Sequence, residues 1–81
     1  MVSITGVPPR ARPHPALRKL GDRIRTLRTG RGWTQEDLAA EADMDRSYAS
    51  GLESGRRNPT YLRLLAVAKA LKVSIQSLVD L

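Results

Sequence analysis

The chain has 81 residues, enough for one small domain with a modest core, because a domain of this size buries only about 60% of its unfolded surface. It contains no cysteine, which excludes disulfides, thiolate zinc sites and cysteine nucleophiles. Fourteen basic residues against eight acidic ones give a net charge of +6, which favours a polyanionic partner, usually nucleic acid, although charge also serves solubility.

No apolar run approaches the roughly 20 residues of a membrane span, and the N-terminus lacks the apolar segment of a signal peptide. The lack of cysteine fits a reducing compartment. We therefore expect a cytoplasmic protein without a membrane partner.

Residues 1–15 contain four prolines, which resist helix interiors and cannot donate to a β-ladder. They are expected to form a flexible basic arm, and residues 16–81 the folded domain. Arg10 and Arg12 lie in this arm. The arm could contact DNA phosphates or enter a minor groove, or it could be only a disordered tail. His14 is expected to be solvated.

A first helix is expected to begin near Pro15 or Ala16 and to end at Gly30 and Gly32. Its apolar stripe repeats at spacings of three and four and consists of Leu17, Leu20, Ile24 and Leu27. Arg28 lies one position off this stripe and can turn inward.

The second helix has three local start signals. Thr34 can cap it, Asp37 three residues later completes a capping box, and Trp33 and Leu38 are spaced for a hydrophobic staple. Gln35, the first helical residue, is either a generic polar residue or a phosphate contact. The side chains expected to be buried here are Leu38, Ala39 and Ala42.

A tight turn at residues 42–44 leads to Asp45, a good cap for a third helix from Arg46 to Ser54. Asp43 in this turn tolerates a left-handed conformation better than most residues. The inward side of the third helix carries Ala49 and Leu52, with Met44 beside them.

The outward side of the third helix is small and polar, and includes Ser47, Ser50, Gly51 and Ser54. A helix with such a face can approach DNA closely, and Arg46 can donate two bonds to a guanine. An ordinary solvated face would carry more Glu and Lys. The basic loop that follows, Gly55-Arg56-Arg57-Asn58-Pro59, suits contacts with phosphates.

Thr60 is expected to cap a fourth helix, and Ser74 a short fifth helix from Ile75 to about Asp80. The fourth helix is apolar over more of its circumference than one core face requires, which indicates either a dimer interface or a crowded monomer core. Its inward stripe is expected to consist of Tyr61, Leu64, Leu65, Ala68 and Leu71. Interface positions on the two helices are Leu62, Ala66, Leu78 and Val79.

No strand-like alternation is present, so the class is all-α. The sequence indicates no catalytic residues, no metal site and no cofactor. Its one histidine has no cysteine or His-Glu-x-x-His motif beside it, and helix capping accounts for Asp37 and Asp45 better than metal binding does.

From Leu20 to Leu81 the chain resembles the lambda-repressor-like, Cro/C1-type helix-turn-helix family. The matching text is IRTLRTGRGWTQEDLAAEA, DRSYASGLESGRRNP and LLAVAKALKVSIQSL. Within this family, MDRSYASGLE and the following RRN are most similar to controller proteins of restriction–modification systems. The resemblance implies five helices, with helix-turn-helix at the second and third, and a dimeric regulator of transcription that binds a palindromic operator.

The resemblance also implies a partly buried salt bridge between Arg28 and Glu53, and dimerisation through the fourth and fifth helices. It implies contacts with double-stranded DNA. The bases would be contacted by Arg46, Ser47, Tyr48 and Ser50. The phosphates would be contacted by Gln35, Arg57 and Asn58, to which the loop adds Arg56.

Three residues depart from the family pattern. Asp43 replaces the usual turn glycine, Ala49 replaces a buried aliphatic residue, and Gly51 replaces a side chain that contacts bases in some members. Two rival functions remain open at this point. One is an antitoxin or protein-interaction module with secondary DNA binding, and the other is an RNA binder, which the scarcity of aromatic residues disfavours.

Overall fold

The computed structural model describes residues 13–80, and within this range the chain forms five α-helices and no strand. They are α1 (Pro15–Gly30), α2 (Gln35–Glu41), α3 (Arg46–Glu53), α4 (Tyr61–Leu71) and α5 (Ile75–Val79). The expected all-α class is confirmed. None of these helices is long and apolar enough to cross a membrane.

Residues 1–12, most of the expected proline-rich arm, lie outside the described residues, as does Leu81. The first helix begins at Pro15, as expected, so this last residue of the arm is helical. The Nδ1 atom of the exposed His14 accepts a hydrogen bond from the Ala16 backbone N–H at 3.1 Å. The sequence interpretation missed this cap because histidine is not among the residues usually preferred there.

The other four helices begin at the expected caps, where side-chain oxygens accept backbone N–H groups that have no partner within the helix. Thr34 and Asp37 form the complete capping box, with bonds of 3.1 and 2.8 Å. The remaining caps are Asp45, Thr60 and Ser74.

The core collects apolar side chains from all five helices, and its largest fully buried members are Ile24, Leu38, Leu52, Val67 and Leu78. α1 packs against α3 and α5, whereas α2 packs against α3 and α4. Gly21 brings the backbones of α1 and α3 together, since a Cβ there would lie 2.4 Å from the Glu53 carbonyl oxygen. The core thus holds α3 from behind and leaves its other side open.

The expected inward stripe of α4 was wrong in part. Tyr61 and Leu65 are exposed, whereas Val67 and Ala70 are buried beside Ala68 and Leu71. The apolar residues of α4 occupy most of its circumference, so their spacing does not determine which side of the helix faces the core. Packing against α2 and α5 makes that choice.

The turn between α2 and α3 has the expected strain. Asp43 adopts a φ of 55°, in the left-handed region that a glycine would enter without cost. The Met44 backbone N–H donates to the Ala39 carbonyl at 2.9 Å, which closes the turn, and the Met44 side chain packs against the core.

Candidate nucleic-acid interface

A buried ion pair joins α1 to the last turn of α3. It lies behind the outward side of α3, which carries Arg46, Ser47 and Ser50 and which we call the recognition face. Arg28 Nε and Nη2 donate to the two carboxylate oxygens of Glu53 at 2.6 and 2.9 Å. Arg28 Nη1 also donates to the Trp33 carbonyl at 2.6 Å. Hydrogen bonding to Glu53, opposed by burial and aided by the negative charge, raises the pKa of the Arg28 guanidinium. The Arg28 guanidinium therefore stays charged within this pair.

Gln35 also takes part in this network. It is half-buried, and its Nε2 donates to Glu53 Oε1 at 3.2 Å. The first residue of α2 is therefore tied to the end of α3, a contact that the sequence did not indicate. The arrangement does not test the predicted contact between Gln35 and a DNA phosphate, so that contact stays a prediction.

The outward side of α3 is open to solvent. Arg46, Ser47 and Ser50 are exposed, and Tyr48 is half-buried. Arg46 Nε lies 3.6 Å from Glu36 Oε2, but about two thirds of each side chain is exposed, so solvent screens this pair strongly. Arg46 can exchange it for another partner at little cost. Three of the four residues predicted to contact bases thus lie on the open side of α3, whereas Tyr48 packs partly against the core.

The loop after α3 returns to this same face. Arg56, Arg57 and Asn58 are all exposed, as expected for phosphate contacts. The aliphatic part of Arg57 covers Gly51, since a Cβ on Gly51 would lie 2.6 Å from Arg57 Cγ. The Arg57 guanidinium then lies 5.5 Å from the centre of the Tyr48 ring. Gly51, which the sequence marked only as a missing contact, makes room for an arginine from the loop.

Sequence reasoning missed Arg63. This exposed residue in the first turn of α4 has its guanidinium 4.9 Å from the centre of the Tyr48 ring. Its Nη1 donates to the Asp43 carbonyl at 3.4 Å. The sequence does contain one indication of a role for Arg63, since it is the only charged residue in the YLRLLAVA segment and follows a basic loop. Its contacts with Tyr48 and Asp43 could not be predicted, because those residues lie 15 and 20 positions away in the sequence.

The predicted dimer residues do not all lie on the surface. Leu78 is fully buried in the core, so its assignment to an interface was wrong. Leu62 is 76% exposed and Val79 45% exposed, while Ala66 is half-buried. Exposed Tyr61 and Leu65 lie on the same helix as Leu62. Among residues 13–80, the large exposed apolar side chains are therefore Tyr61, Leu62 and Leu65 on α4 and Val79 on α5, which together we call the apolar patch.

Within residues 13–80, no three acidic or histidine side chains are grouped so that they could hold a metal ion. The chemistry of the recognition face is that of hydroxyl and guanidinium donors. These are the groups that recognise base edges and phosphate oxygens.

Comparison with known proteins agrees with this geometry. A family model described as helix-turn-helix matches residues 24–78. The uncharacterized HTH-type transcriptional regulator y4dJ of Sinorhizobium fredii is 45% identical over 64 residues, which cover 78% of this chain and 83% of that protein.

Two solved structures are also similar. The restriction-modification controller protein C.AhdI from Aeromonas hydrophila superimposes with a TM-score of 0.79 and 42% identity, covering 80% of this chain and 98% of its own. The controller protein C.Esp1396I, as a tetramer in complex with its natural 35 base-pair operator, superimposes with a TM-score of 0.70 and 41% identity, covering 75% and 80%.

The family match spans most of the chain, and both the five-helix order and the exposed third helix fit it. The resemblance to Cro/C1-type proteins and to restriction–modification controllers is thus confirmed. This chain belongs to the helix-turn-helix family of transcriptional regulators.

Proposed function

We propose that this protein binds a two-fold symmetric operator as a homodimer and reads it with α3 in the major groove. The observation that carries this proposal is the outward face of α3, where Arg46, Ser47 and Ser50 are exposed while the buried Arg28–Glu53 pair holds the helix from behind. Direct readout needs such donors on a rigid element.

Base and phosphate contacts have separate roles in this proposal. Arg46, Ser47, Tyr48 and Ser50 contact bases and determine specificity. Contacts with phosphates set the position on the duplex without reading sequence, and come from Gln35, Arg56, Arg57 and Asn58.

The homodimer part is supported by the apolar patch, because small soluble domains seldom expose several large apolar side chains on adjoining elements without a partner. Two copies would place their α3 helices on half-sites about 34 Å apart. The C.AhdI likeness, which covers nearly that whole chain, supports a controller role in a restriction–modification system. The protein would act in the cytoplasm by binding alone, without a catalytic step.

Selection of bound sequences from random duplex DNA tests this function. We expect enrichment of a palindromic site with two half-sites one helical turn apart. The Arg46→Ala variant, which removes the longest donor of α3, serves as the matched control and should enrich a less defined site. If the wild-type chain enriches no sequence, the proposed function is wrong, and a protein-interaction module such as an antitoxin becomes the better interpretation.

A further inference from the structure

Two arginines converge on one aromatic ring at the edge of the recognition face. Arg57 reaches Tyr48 from the loop after α3, and Arg63 reaches it from the first turn of α4, at 5.5 and 4.9 Å from the ring centre. A guanidinium this close to an aromatic ring gains a cation–π attraction. Tyr48 therefore contacts two cations that belong to different structural elements, the loop after α3 and the first turn of α4.

Neither of these two cations is neutralised by an acidic side chain. Among residues 13–80, the only salt bridges are Arg28–Glu53 and Arg46–Glu36. Two guanidiniums on one ring repel each other, and an anion placed between them removes that repulsion. The cluster thus has the charge to attract an anion, and it lies on and beside the helix that faces DNA in the proposed function.

Each arginine is also held in place from its other side. The stem of Arg57 covers Gly51, and Arg63 Nη1 donates to the carbonyl of Asp43, the left-handed residue of the turn. Restricting these long side chains before binding lowers the entropy lost when they engage a ligand. Their arrangement therefore favours one fixed anion over a diffuse ion atmosphere.

We propose that Arg63 is an additional DNA-backbone contact and that Arg63 and Arg57, both positioned against the Tyr48 ring, bind the same phosphodiester at the edge of the recognition face. The ligand class is a phosphodiester of the operator. This inference rests on the proposed function and adds to it a residue on α4 and a physical link between the two arginines.

The test measures affinity for the selected operator and for random duplex over a series of salt concentrations. Arg63→Ala should weaken both by about tenfold, as expected for a bond to a charged group. The slope of log K against log salt should become shallower by up to about 0.9. Lys69→Ala, which removes an exposed charge from the other end of α4, is the matched control and should leave that slope unchanged.

A double-mutant cycle tests whether the two arginines bind one phosphodiester. If Arg57 and Arg63 act on the same phosphodiester, the loss in Arg57→Ala/Arg63→Ala should differ from the product of the single losses by at least about twofold. Arg63→Lys should keep most of the salt dependence.

Three outcomes would overturn this inference. They are an unchanged salt slope in Arg63→Ala, a lowered melting temperature as its only effect, and independent effects of the two arginines. In each case a wild-type chain that still enriches a palindromic site leaves the proposed function intact. If the wild-type chain enriches no sequence, both the proposed function and this inference are wrong.

Discussion

Arg28 and Glu53 lie 25 positions apart and form a doubly hydrogen-bonded ion pair that joins α1 to the last turn of the recognition helix. The same carboxylate accepts a bond from Gln35, so three helices meet at one buried charge. No buried side-chain donor or acceptor in the described part of the chain is left without a partner. The orientation of α3 therefore depends on this network.

Arg28→Ala should destabilise the domain by about 3–5 kcal/mol, because it leaves the Glu53 carboxylate buried without its partner. Urea unfolding followed by circular dichroism measures this loss. The double variant Arg28→Met/Glu53→Leu removes both charges and should recover most of the stability. A loss below about 1 kcal/mol in the single variant would show that solvent already reaches the carboxylate.

Arg46→Ala should weaken binding to the selected operator by about 1–3 kcal/mol and relax the preference at one base pair. Its binding to random duplex should change much less. Fluorescence titration on the operator, on single-base variants and on random DNA separates these effects. Equal losses on all three would assign Arg46 to the backbone. Glu36→Gln, which removes only the exposed partner of Arg46, is the matched control.

Arg57→Ala should weaken operator and random duplex alike, since a phosphate contact carries no base identity. The slope of log K against log salt should become shallower by about one unit at most, and less if Arg63 still holds the same phosphodiester. Salt titrations of both DNAs provide the measurement. A loss confined to the operator would make Arg57 a base contact instead.

Gly51→Ala should affect the stability of the fold and its affinity for DNA differently. Its Cβ would lie 2.6 Å from Arg57 Cγ, near the base of that side chain, so the exposed Arg57 side chain must change its rotamer. The better helix former, worth about 0.5–1 kcal/mol, should offset the cost of that change, so stability should change little, while DNA affinity falls because Arg57 is displaced. Unfolding and binding are measured on the same preparation.

Gly21→Ala is the matched comparison for Gly51→Ala. Its Cβ would lie 2.4 Å from the Glu53 carbonyl oxygen and 2.5 Å from that of Leu52, which are backbone atoms of α3. We expect this variant to lose stability because two helices must separate. If both glycine variants behaved alike, the position of Arg57 over Gly51 would be wrong.

Leu62→Asp should prevent self-association by placing a charge in the apolar patch, where Leu62 is 76% exposed. Sedimentation equilibrium should show a monomer whose circular dichroism matches that of the parent chain. Leu78→Ala, in the core, should instead lose about 2–5 kcal/mol of stability. A Leu62→Asp variant that still forms dimers would place the interface elsewhere.

The sequence alone determined where helices begin, because capping depends on neighbours within about three residues. Thr34, Asp45, Thr60 and Ser74 all cap as predicted, and the turn at Asp43 has the expected left-handed backbone. The inward sides of α1 and α3 were also predictable, since each carries one apolar stripe. These features and the family resemblance were sufficient for the all-α fold and its helix-turn-helix.

Only the tertiary structure decided which side of α4 is buried, that Leu78 belongs to the core, and that Arg63 meets Tyr48. α4 is apolar almost all round, so its own spacing leaves several orientations open, and only packing against α2 and α5 selects one. The contact between Arg63 and Tyr48 joins residues 15 positions apart on different helices. No local pattern encodes such a meeting, because it depends on how the helices pack.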